Sequence, residues 1–225
     1  MSNICIIPAR GGSKRIPKKN IKVFRGKPMI YWVIRAAFKS ECFDKIIVST
    51  DSQEIAEIVK NLGAEVPFLR PNNLSGDHSS VVDVVKHSIK EIKKELVDLQ
   101  NICCLYATAN LISYIDIKNS YDVFINENLN KILFAATLFE YPIQRALVLD
   151  KNNYASMLDK NNLYTRSQDL IETYHDAGQF YWGNCKSWLK TKNILDGGKA
   201  YIIPKWRVQD IDVLHSRVVA HFLQF

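Results

Sequence analysis

A loop rich in lysine and arginine follows the first apolar run of the chain, and it carries residue types that hold phosphate groups. Within residues 9–20, Gly11 and Gly12 let the backbone bend and approach a ligand closely, and their amides could form an anion-binding concavity. The same loop supplies the cations Arg10, Lys14, Arg15, Lys18 and Lys19. The loop therefore predicts a binding site for a small, highly anionic ligand such as a triphosphate.

Two aspartates near the end of the sequence, Asp210 and Asp212, form a second candidate site. On an extended segment, residues at this spacing lie on one face, and paired carboxylates together with substrate phosphates suit Mg²⁺. The same pattern at the start of a helix also caps the helix and complements its dipole. The basic loop elsewhere in the chain favours the metal-binding interpretation.

Apolar runs that alternate with amphipathic stretches predict the elements that position these residues. Strands are expected near residues 4–7, 45–50, 65–69, 101–106, 132–138, 178–182 and 200–203, and helices near 52–62, 80–96, 114–126 and 213–223. We expect Asp51 to cap the helix that follows it. This alternation is typical of a doubly wound, mostly parallel α/β sheet, in which ligands bind beyond the carboxyl ends of the strands. The alternation fails between residues 140 and 172, which we interpret as an excursion with hairpins.

Composition limits the class of protein. With 225 residues, 47% of them hydrophobic, the chain is long enough for one core, so we expect a single domain over residues 1–225. The sequence shows neither a signal peptide nor a membrane span, which predicts a cytoplasmic protein without a membrane partner. The scattered cysteines predict buried free thiols. The net charge of +7 is concentrated in the first loop, which argues against a nucleic-acid partner.

Ordered blocks over nearly the whole chain resemble the CMP-sialic acid synthetases and related CMP-nonulosonate cytidylyltransferases. The blocks are I-P-A-R-G-G-S-K-R-I-P at 7–17, K-N at 19–20, G-K-P-M-I at 26–30, V-S-T-D at 48–51, L-R-P at 69–71 and D-I-D at 210–212. The resemblance implies a nucleotide-diphospho-sugar transferase fold of Rossmann-like type. It also implies Mg²⁺-dependent transfer of CMP from CTP to the anomeric hydroxyl of a nonulosonic acid, for glycosylation of surface glycans or flagellin.

The resemblance also implies roles for individual residues. Phosphate binding and charge stabilisation are expected from Arg10 and Lys19, and Mg²⁺ binding from Asp210 and Asp212. The nucleotide site is expected to comprise Ala9, Arg10, Gly11, Gly12, Ser13, Lys14, Lys19, Asn20, Arg70, Ser79 and Ser80. The sugar site is expected to comprise Tyr106, Thr108, Arg166, His175, Gln179, Phe180 and Tyr181. Phe180 and Tyr181 also fit a core strand, and the residue that accepts the sugar proton stays open.

The motif L-Y-A-T-A at residues 105–109 stands where sialic acid synthetases usually carry L-Q-P-T-S. Together with Y-H-D-A-G-Q-F-Y-W at 174–182, it resembles the branch that activates pseudaminic acid. Sialic or legionaminic acid as substrate is the nearest alternative, and a non-catalytic nucleotide-binding regulator is an alternative of another class. Family members pair through an arm, so residues 140–172 are expected to form a dimerisation arm.

Overall fold

The computed structural model describes residues 2–77, 79–96, 98–209 and 211. The strands are β1 (Ser2–Pro8), β2 (Val23–Phe24), β3 (Lys27–Pro28), β4 (Lys45–Ser49), β5 (Leu99–Leu105), β6 (Leu133–Leu138), β7 (Leu147–Leu149), β8 (Ala155–Met157), β9 (Tyr174–Asn184) and β10 (Lys199–Ile202). The helices are α1 (Met29–Ser40), α2 (Gln53–Asn61), α3 (Val81–Ile92), α4 (Tyr114–Asn126) and α5 (Cys185–Lys190). Short 3₁₀ turns cover Lys19–Ile21, Asn72–Leu74, Ile143–Arg145, Lys160–Asn162, Ser167–Asp169 and Lys205–Arg207.

The central sheet has six strands in the order β10-β6-β9-β5-β1-β4. Strand β1 is parallel to both β4 and β5, and β6 is parallel to β10, whereas β9 runs antiparallel between β5 and β6. The mostly parallel α/β architecture expected from the sequence is therefore confirmed. The carboxyl ends of β1, β4, β5 and β6 share one edge, and the start of β9 lies at that same edge because β9 is reversed.

Helices cover both faces of this sheet. On one face, α1, α2 and α4 pack against alternate residues of β1 and β5, including Cys5, Ile7 and Cys103. On the other face, α3 and α5 pack against the intervening residues, including Ile4 and Ile6. Because successive strand residues point to opposite faces, one apolar run supplies both cores. The expected free thiols are confirmed, since all five cysteines are unpaired and buried.

The strand expected at residues 65–69 does not form. Glu65 and Leu69 each make an isolated parallel bridge, to Ile47 and Thr50 respectively, without a continuous ladder between them. Pro67 lies in the middle of this segment, and a proline has no amide hydrogen to donate to a ladder. The segment still follows β4 closely enough to deliver Arg70 to the sheet edge, where the Arg70 amide donates to the Thr50 carbonyl over 2.7 Å.

The excursion between β6 and β9 contains the antiparallel pair β7 and β8, which is separate from the central sheet. Most of its large apolar side chains are exposed, namely Tyr141, Ile143, Leu147, Val148, Leu149, Tyr154, Leu158, Leu163, Tyr164 and Ile171. We call residues 140–172 the arm. The helix expected at residues 213–223 lies outside the described residues. Among the residues that are described, no helix has both the length and the apolar character needed to cross a membrane.

Candidate active site

A cavity of about 520 Å³ lies at the carboxyl edge of the central sheet. The basic loop after β1 forms one wall, and the N-terminal end of α3 and the segment after β5 form the others. The lining residues are Pro8, Arg10, Ser13, Lys14, Arg15, Lys19, Asn20, Arg70, Asp77, Ser79, Val81, Val84, Tyr106, Ala107 and Thr108. Five of these side chains are cationic and one is acidic, so the cavity suits a polyanion. We call it the cationic cavity.

Arg70 is the most deeply buried cation of the cationic cavity, with 5% of the residue exposed. Its Nε and Nη2 atoms have no hydrogen-bond partner among the described atoms, and the nearest carboxylate oxygen, Oδ1 of Asp51, is 4.0 Å from Nη2. Burial lowers the pKa of Arg70, and nearby Arg10 lowers it further, while Asp51 acts in the opposite direction. A buried guanidinium with unused donors is costly in free energy unless an anion binds it.

Asp51 organises the basic loop from the end of the neighbouring strand. Its Oδ1 accepts a hydrogen bond of 2.9 Å from the Gly11 amide, so this amide is engaged within the protein and is not directed at a ligand. A Cβ atom at position 11 would lie 3.0 Å from the Cβ of Ser52, so a residue with a side chain there would force the loop and Ser52 apart. Ser52 rather than Asp51 caps α2, because the Ser52 hydroxyl accepts from the Ile55 amide.

A second cavity, of about 360 Å³, adjoins the cationic cavity. Its lining residues are Tyr106, Thr108, Ala109, Leu111, His175, Asp176, Ala177, Gly178, Gln179, Arg207, Val208 and Gln209. Tyr106 and Thr108 line both cavities and therefore stand at their junction. We call this second space the acceptor cavity. Two adjoining cavities, one of them strongly cationic, suit a reaction between a phosphorylated ligand and a second, smaller molecule.

Gln179 supplies a hydrogen-bond acceptor to the acceptor cavity. Its Nε2 donates to the backbone carbonyl of Arg207 over 2.5 Å, which fixes the orientation of the amide. Its Oε1 is buried and has no partner among the described atoms. A buried acceptor without a donor is rare in folded proteins, and this one belongs to a residue that lines the acceptor cavity.

Comparison with known proteins agrees with this arrangement. Residues 4–199 match a family model described as cytidylyltransferase. The chain belongs to the cytidylyltransferase family. It is 46% identical to a pseudaminic acid cytidylyltransferase of Campylobacter jejuni, over 99% of this chain and 96% of the relative. It is 32% identical to an N-acylneuraminate cytidylyltransferase of Streptococcus agalactiae, over 94% of this chain and 51% of that relative.

A solved structure supports the fold assignment. The structure of a CMP:2-keto-3-deoxy-manno-octonic acid synthetase complexed with CTP superposes with a TM-score of 0.72, covering 99% of this chain and 98% of the other. Sequence identity in that comparison is 16%, so it bears on the fold alone. The nucleotidyltransferase fold expected from the sequence is thus confirmed for this cytidylyltransferase.

The cationic cavity brings together most of the residues expected to bind the nucleotide: Arg10, Ser13, Lys14, Lys19, Asn20, Arg70 and Ser79. Four others are placed differently in the described structure. Ala9 is fully buried, and its amide donates to the Ser49 carbonyl. Ser80 caps α3 by accepting from the Asp83 amide. Gly11 is engaged by Asp51, and Gly12 is not among the lining residues. Asn20 lines the cavity and also supports the loop, because its Nδ2 donates to the Arg10 carbonyl over 2.9 Å.

The acceptor cavity contains four of the residues expected to bind the sugar: Tyr106, Thr108, His175 and Gln179. Phe180 and Tyr181 are fully buried, so they support the cavity wall from behind and do not face the ligand space. Phe180 packs against Tyr201, and Tyr181 packs against Tyr106. Arg166 is exposed on the arm and lines neither cavity within this chain.

Asp210 and Asp212 lie outside the described residues. The residue between them, Ile211, is described and is fully buried against Ile16 of the basic loop and against Leu111. The preceding segment is also held firmly, because the Arg207 guanidinium forms a bidentate ion pair with Asp116 of α4. The chain on both sides of Asp210 is therefore anchored beside the two cavities.

Asp77 is a site residue that the sequence did not predict. One carboxylate oxygen is 2.7 Å from Nη1 of Arg10 and the other is 2.6 Å from Nζ of Lys14. Hydrogen bonds from Lys14 and Arg10 lower the pKa of Asp77. Asp77 therefore neutralises two cations of the cationic cavity, at a position where a bound phosphate would meet its negative charge.

Replacing Asp77 by asparagine is expected to tighten binding of inorganic tripolyphosphate by about two- to fivefold, because a competing carboxylate is removed. The change is small because all three groups are partly exposed and solvent screens their attraction. Isothermal titration calorimetry would measure it. Glu54→Gln is the matched control, since Glu54 pairs with the loop cation Lys18 over 2.7 Å but does not line the cavity. Weaker binding by Asp77→Asn would show that Asp77 orients the cations instead of competing with the ligand.

Proposed function

We propose that this cytidylyltransferase transfers the CMP group of CTP to the anomeric hydroxyl of pseudaminic acid and releases pyrophosphate. The observation that carries the proposal is the junction of the cationic and acceptor cavities at Tyr106 and Thr108, which allows two substrates to bind side by side. The 46% identity to a pseudaminic acid cytidylyltransferase along almost the whole chain supports the choice of sugar acid.

The proposed roles in the cationic cavity follow from charge. Arg10, Lys19 and Arg70 bind the triphosphate and neutralise the pyrophosphate as it leaves, with Ser13 and Lys14 assisting. Displacement at phosphorus needs little covalent help from a protein, because most of the rate enhancement comes from positioning and charge neutralisation. In this step the anomeric oxygen forms a bond to the α-phosphorus while the bond from that phosphorus to the pyrophosphate oxygen breaks.

The chain also offers a donor set for Mg²⁺, which Asp210 and Asp212 would hold. Carboxylates beside substrate phosphates are the ligands that Mg²⁺ prefers, and the burial of Ile211 against Ile16 supports a location next to the basic loop. When bound, the ion neutralises charge on the phosphate oxygens.

The proposal is tested by pyrophosphate release from purified protein with each of the four nucleoside triphosphates and a panel of nonulosonic acids. We expect turnover with CTP and pseudaminic acid, and at least about tenfold lower kcat/KM with N-acetylneuraminic or legionaminic acid, because these sugar acids present different substituents or stereochemistry to the polar groups of the acceptor cavity. Faster turnover with N-acetylneuraminic acid would reassign the substrate. The absence of turnover with every sugar acid would overturn the catalytic proposal.

We further propose that the protein is a homodimer that pairs through the arm, and that it acts in the cytoplasm, where CTP is available. The arm exposes large apolar side chains close together in sequence, among them Tyr164, which is 94% exposed, and Ile171, which is 81% exposed. Burying them against a second copy would remove apolar surface from water. Arg166 lies on the same arm, so pairing is what would allow it to approach the acceptor cavity of the partner.

Replacing Leu149 of the arm by aspartate is expected to convert the dimer to monomers, because a carboxylate would be buried without a partner. Sedimentation velocity would measure the change. Leu195→Asp is the control, since Leu195 is also an exposed leucine but lies outside the arm. A wild-type protein that sediments as a fully active monomer would contradict the proposed pairing.

A further inference from the structure

His175 lies near the start of β9, beside the acceptor cavity. In the ladder between β6 and β9 it pairs with Thr137, and its ring packs on Phe139 with the ring centroids 4.7 Å apart. A bulge that includes Gly178, where φ is +61°, follows in β9. His175 is partly buried and lines the acceptor cavity but not the cationic cavity. Its imidazole is therefore placed to meet the ligand of the acceptor cavity and not a triphosphate.

The hydrogen bond made by His175 fixes which ring nitrogen carries a proton. Nδ1 lies 2.9 Å from the backbone carbonyl oxygen of Asp176. A carbonyl oxygen only accepts, so Nδ1 must be the nitrogen that donates. In the neutral imidazole, Nε2 then holds the lone pair. No described residue forms a hydrogen bond with Nε2, so none of them uses this lone pair.

The other titratable side chains that line the acceptor cavity are less suited to accept a proton from a ligand. Both carboxylate oxygens of Asp176 already accept hydrogen bonds, from the Gly178 amide over 2.9 Å and from the Tyr181 hydroxyl over 2.7 Å. The guanidinium of Arg207 has no acceptor, and a hydroxyl such as that of Tyr106 is a much weaker base than imidazole. The imidazole is therefore the best base among the described lining residues.

From this geometry we propose that His175 is a catalytic residue, the general base that accepts the proton of the anomeric hydroxyl at Nε2. As the anomeric oxygen forms its bond to the α-phosphorus, its bond to hydrogen breaks and the proton moves to Nε2, which gives an imidazolium. The bond from phosphorus to the pyrophosphate oxygen breaks in the same displacement, and its electron pair leaves with pyrophosphate. The imidazolium returns the proton to water before the next turnover. This inference rests on the proposed function, because it takes both substrates from it.

The decisive variant is His175→Asn. The amide of an asparagine can still donate from a position close to that of Nδ1, but it has no atom at the position of Nε2. We expect kcat/KM for the sugar acid to fall by about 100- to 10,000-fold, the usual contribution of a general base, while the affinity for CTP changes less than about twofold. Pyrophosphate release measures turnover, and calorimetric titration with CTP alone measures affinity. Turnover within about threefold of the wild type would overturn the proposal.

The pH dependence of turnover gives a readout that a purely structural histidine would not give. Because protonation occupies the lone pair of Nε2, kcat/KM for the sugar acid should decrease as the pH is lowered, and His175→Asn should lack this acid limb. Strand β6 and the residue after it place the uncharged Thr137 and Phe139 against the imidazole. The titratable groups that share its cavity or adjoin it in β9 are Tyr106, Tyr174, Asp176 and Arg207. All four remain in the variant, so an acid limb that persisted there would overturn the assignment.

His87→Asn is the matched control for the loss of one histidine. His87 lies on α3, where its ring packs on Phe68 with the centroids 5.3 Å apart, and it lines neither cavity. Its turnover and its pH profile should match those of the wild type. Equal losses of CTP affinity and of turnover with the sugar acid in His175→Asn would also overturn the proposal, because a general base acts on the sugar hydroxyl alone.

A measurement without substrate tests the protonation of His175 independently of the proposed function. Long-range ¹H–¹⁵N correlation spectra distinguish a protonated ring nitrogen from an unprotonated one, and the signals of His175 are assigned by their loss in His175→Asn. In the neutral ring we expect the proton on Nδ1 and none on Nε2. The opposite arrangement would overturn the proposal. Wild-type protein that shows the expected arrangement but is inactive with every sugar acid would overturn the proposed function, whereas unchanged turnover in His175→Asn would overturn the base assignment alone.

Discussion

Replacing Arg70 by methionine is expected to weaken CTP binding by about 10- to 150-fold, because hydrogen bonds to a charged group are worth roughly 1.5–3 kcal/mol. Arg70 is 5% exposed and lines the cationic cavity, and its guanidinium has two donor atoms without a partner among the described atoms. Among the described residues, the closest carboxylate oxygen is 4.0 Å from this guanidinium, so a bound triphosphate would supply the missing counter-charge. Isothermal titration calorimetry with CTP measures the loss.

The same substitution is expected to leave the stability of the free protein unchanged or to raise it by up to about 1 kcal/mol. A buried charge with incomplete compensation is costly, and an apolar side chain of similar volume removes that cost. Asp51 would lose a cation at 4.0 Å but would keep its hydrogen bond from the Gly11 amide. Thermal unfolding without ligand would measure the effect. The combination of weaker binding with equal or greater stability is typical of a residue retained for function.

Two control variants make the Arg70 prediction specific. Arg70→Lys keeps the charge but lacks the planar fork, so it should bind CTP with intermediate affinity. Arg35→Met removes an arginine from the exposed face of α1, outside the cationic cavity, and should bind CTP normally. If Arg70→Met instead unfolded at a lower temperature and bound CTP normally, Arg70 would be a structural residue with no part in nucleotide binding.

The basic loop could be predicted from the sequence because the residues that indicate an anion site are close together in the chain. Arg10, Lys14 and Lys19 lie in one short segment after an apolar strand, and side-chain type alone indicates an anion site. The partners that tune this loop are not local. Asp51 and Asp77 reach it from other parts of the fold, and charge reasoning argues against placing a carboxylate in a phosphate site. Sequence patterns therefore revealed the ligand class but not the internal counter-ions.

The acceptor cavity shows a different limit of prediction. The strand around Phe180 and Tyr181 was recognised from its apolar pattern, but which side chains face the ligand depends on the bulge at Gly178. In a regular strand, alternate side chains point to the same face of the sheet. A bulge inserts extra residues, so this alternation no longer predicts which side chains beyond the bulge face the ligand. Gln179 was assigned to the site by resemblance, whereas Asp176 became visible only through its bonds to Tyr181 and Gly178.

Replacing Asp210 by asparagine is expected to lower turnover at saturating Mg²⁺ by at least about 100-fold, because a divalent ion contributes several kcal/mol to the stabilisation of phosphoryl-transfer charge. An asparagine keeps the size of the side chain and one oxygen but removes the negative charge that a hard cation prefers. Pyrophosphate release measures turnover, and calorimetric titration of Mg²⁺ into the CTP complex measures the ion directly. The rate of pyrophosphate release and the heat of Mg²⁺ binding should fall together.

The Asp210 variant also distinguishes metal binding from helix capping, the other interpretation of two aspartates at this spacing. A capping aspartate stabilises a helix by about 1 kcal/mol, so its loss would lower the unfolding temperature and leave turnover nearly intact. A metal ligand should show the opposite pattern, with CTP binding in the absence of Mg²⁺ also preserved. Asp196→Asn, at an exposed aspartate outside both cavities, is the control for the loss of one acidic charge. Near-normal turnover of Asp210→Asn would rule out its assignment as a metal ligand, and the anchoring of Ile211 would then serve only to close the core beside the basic loop.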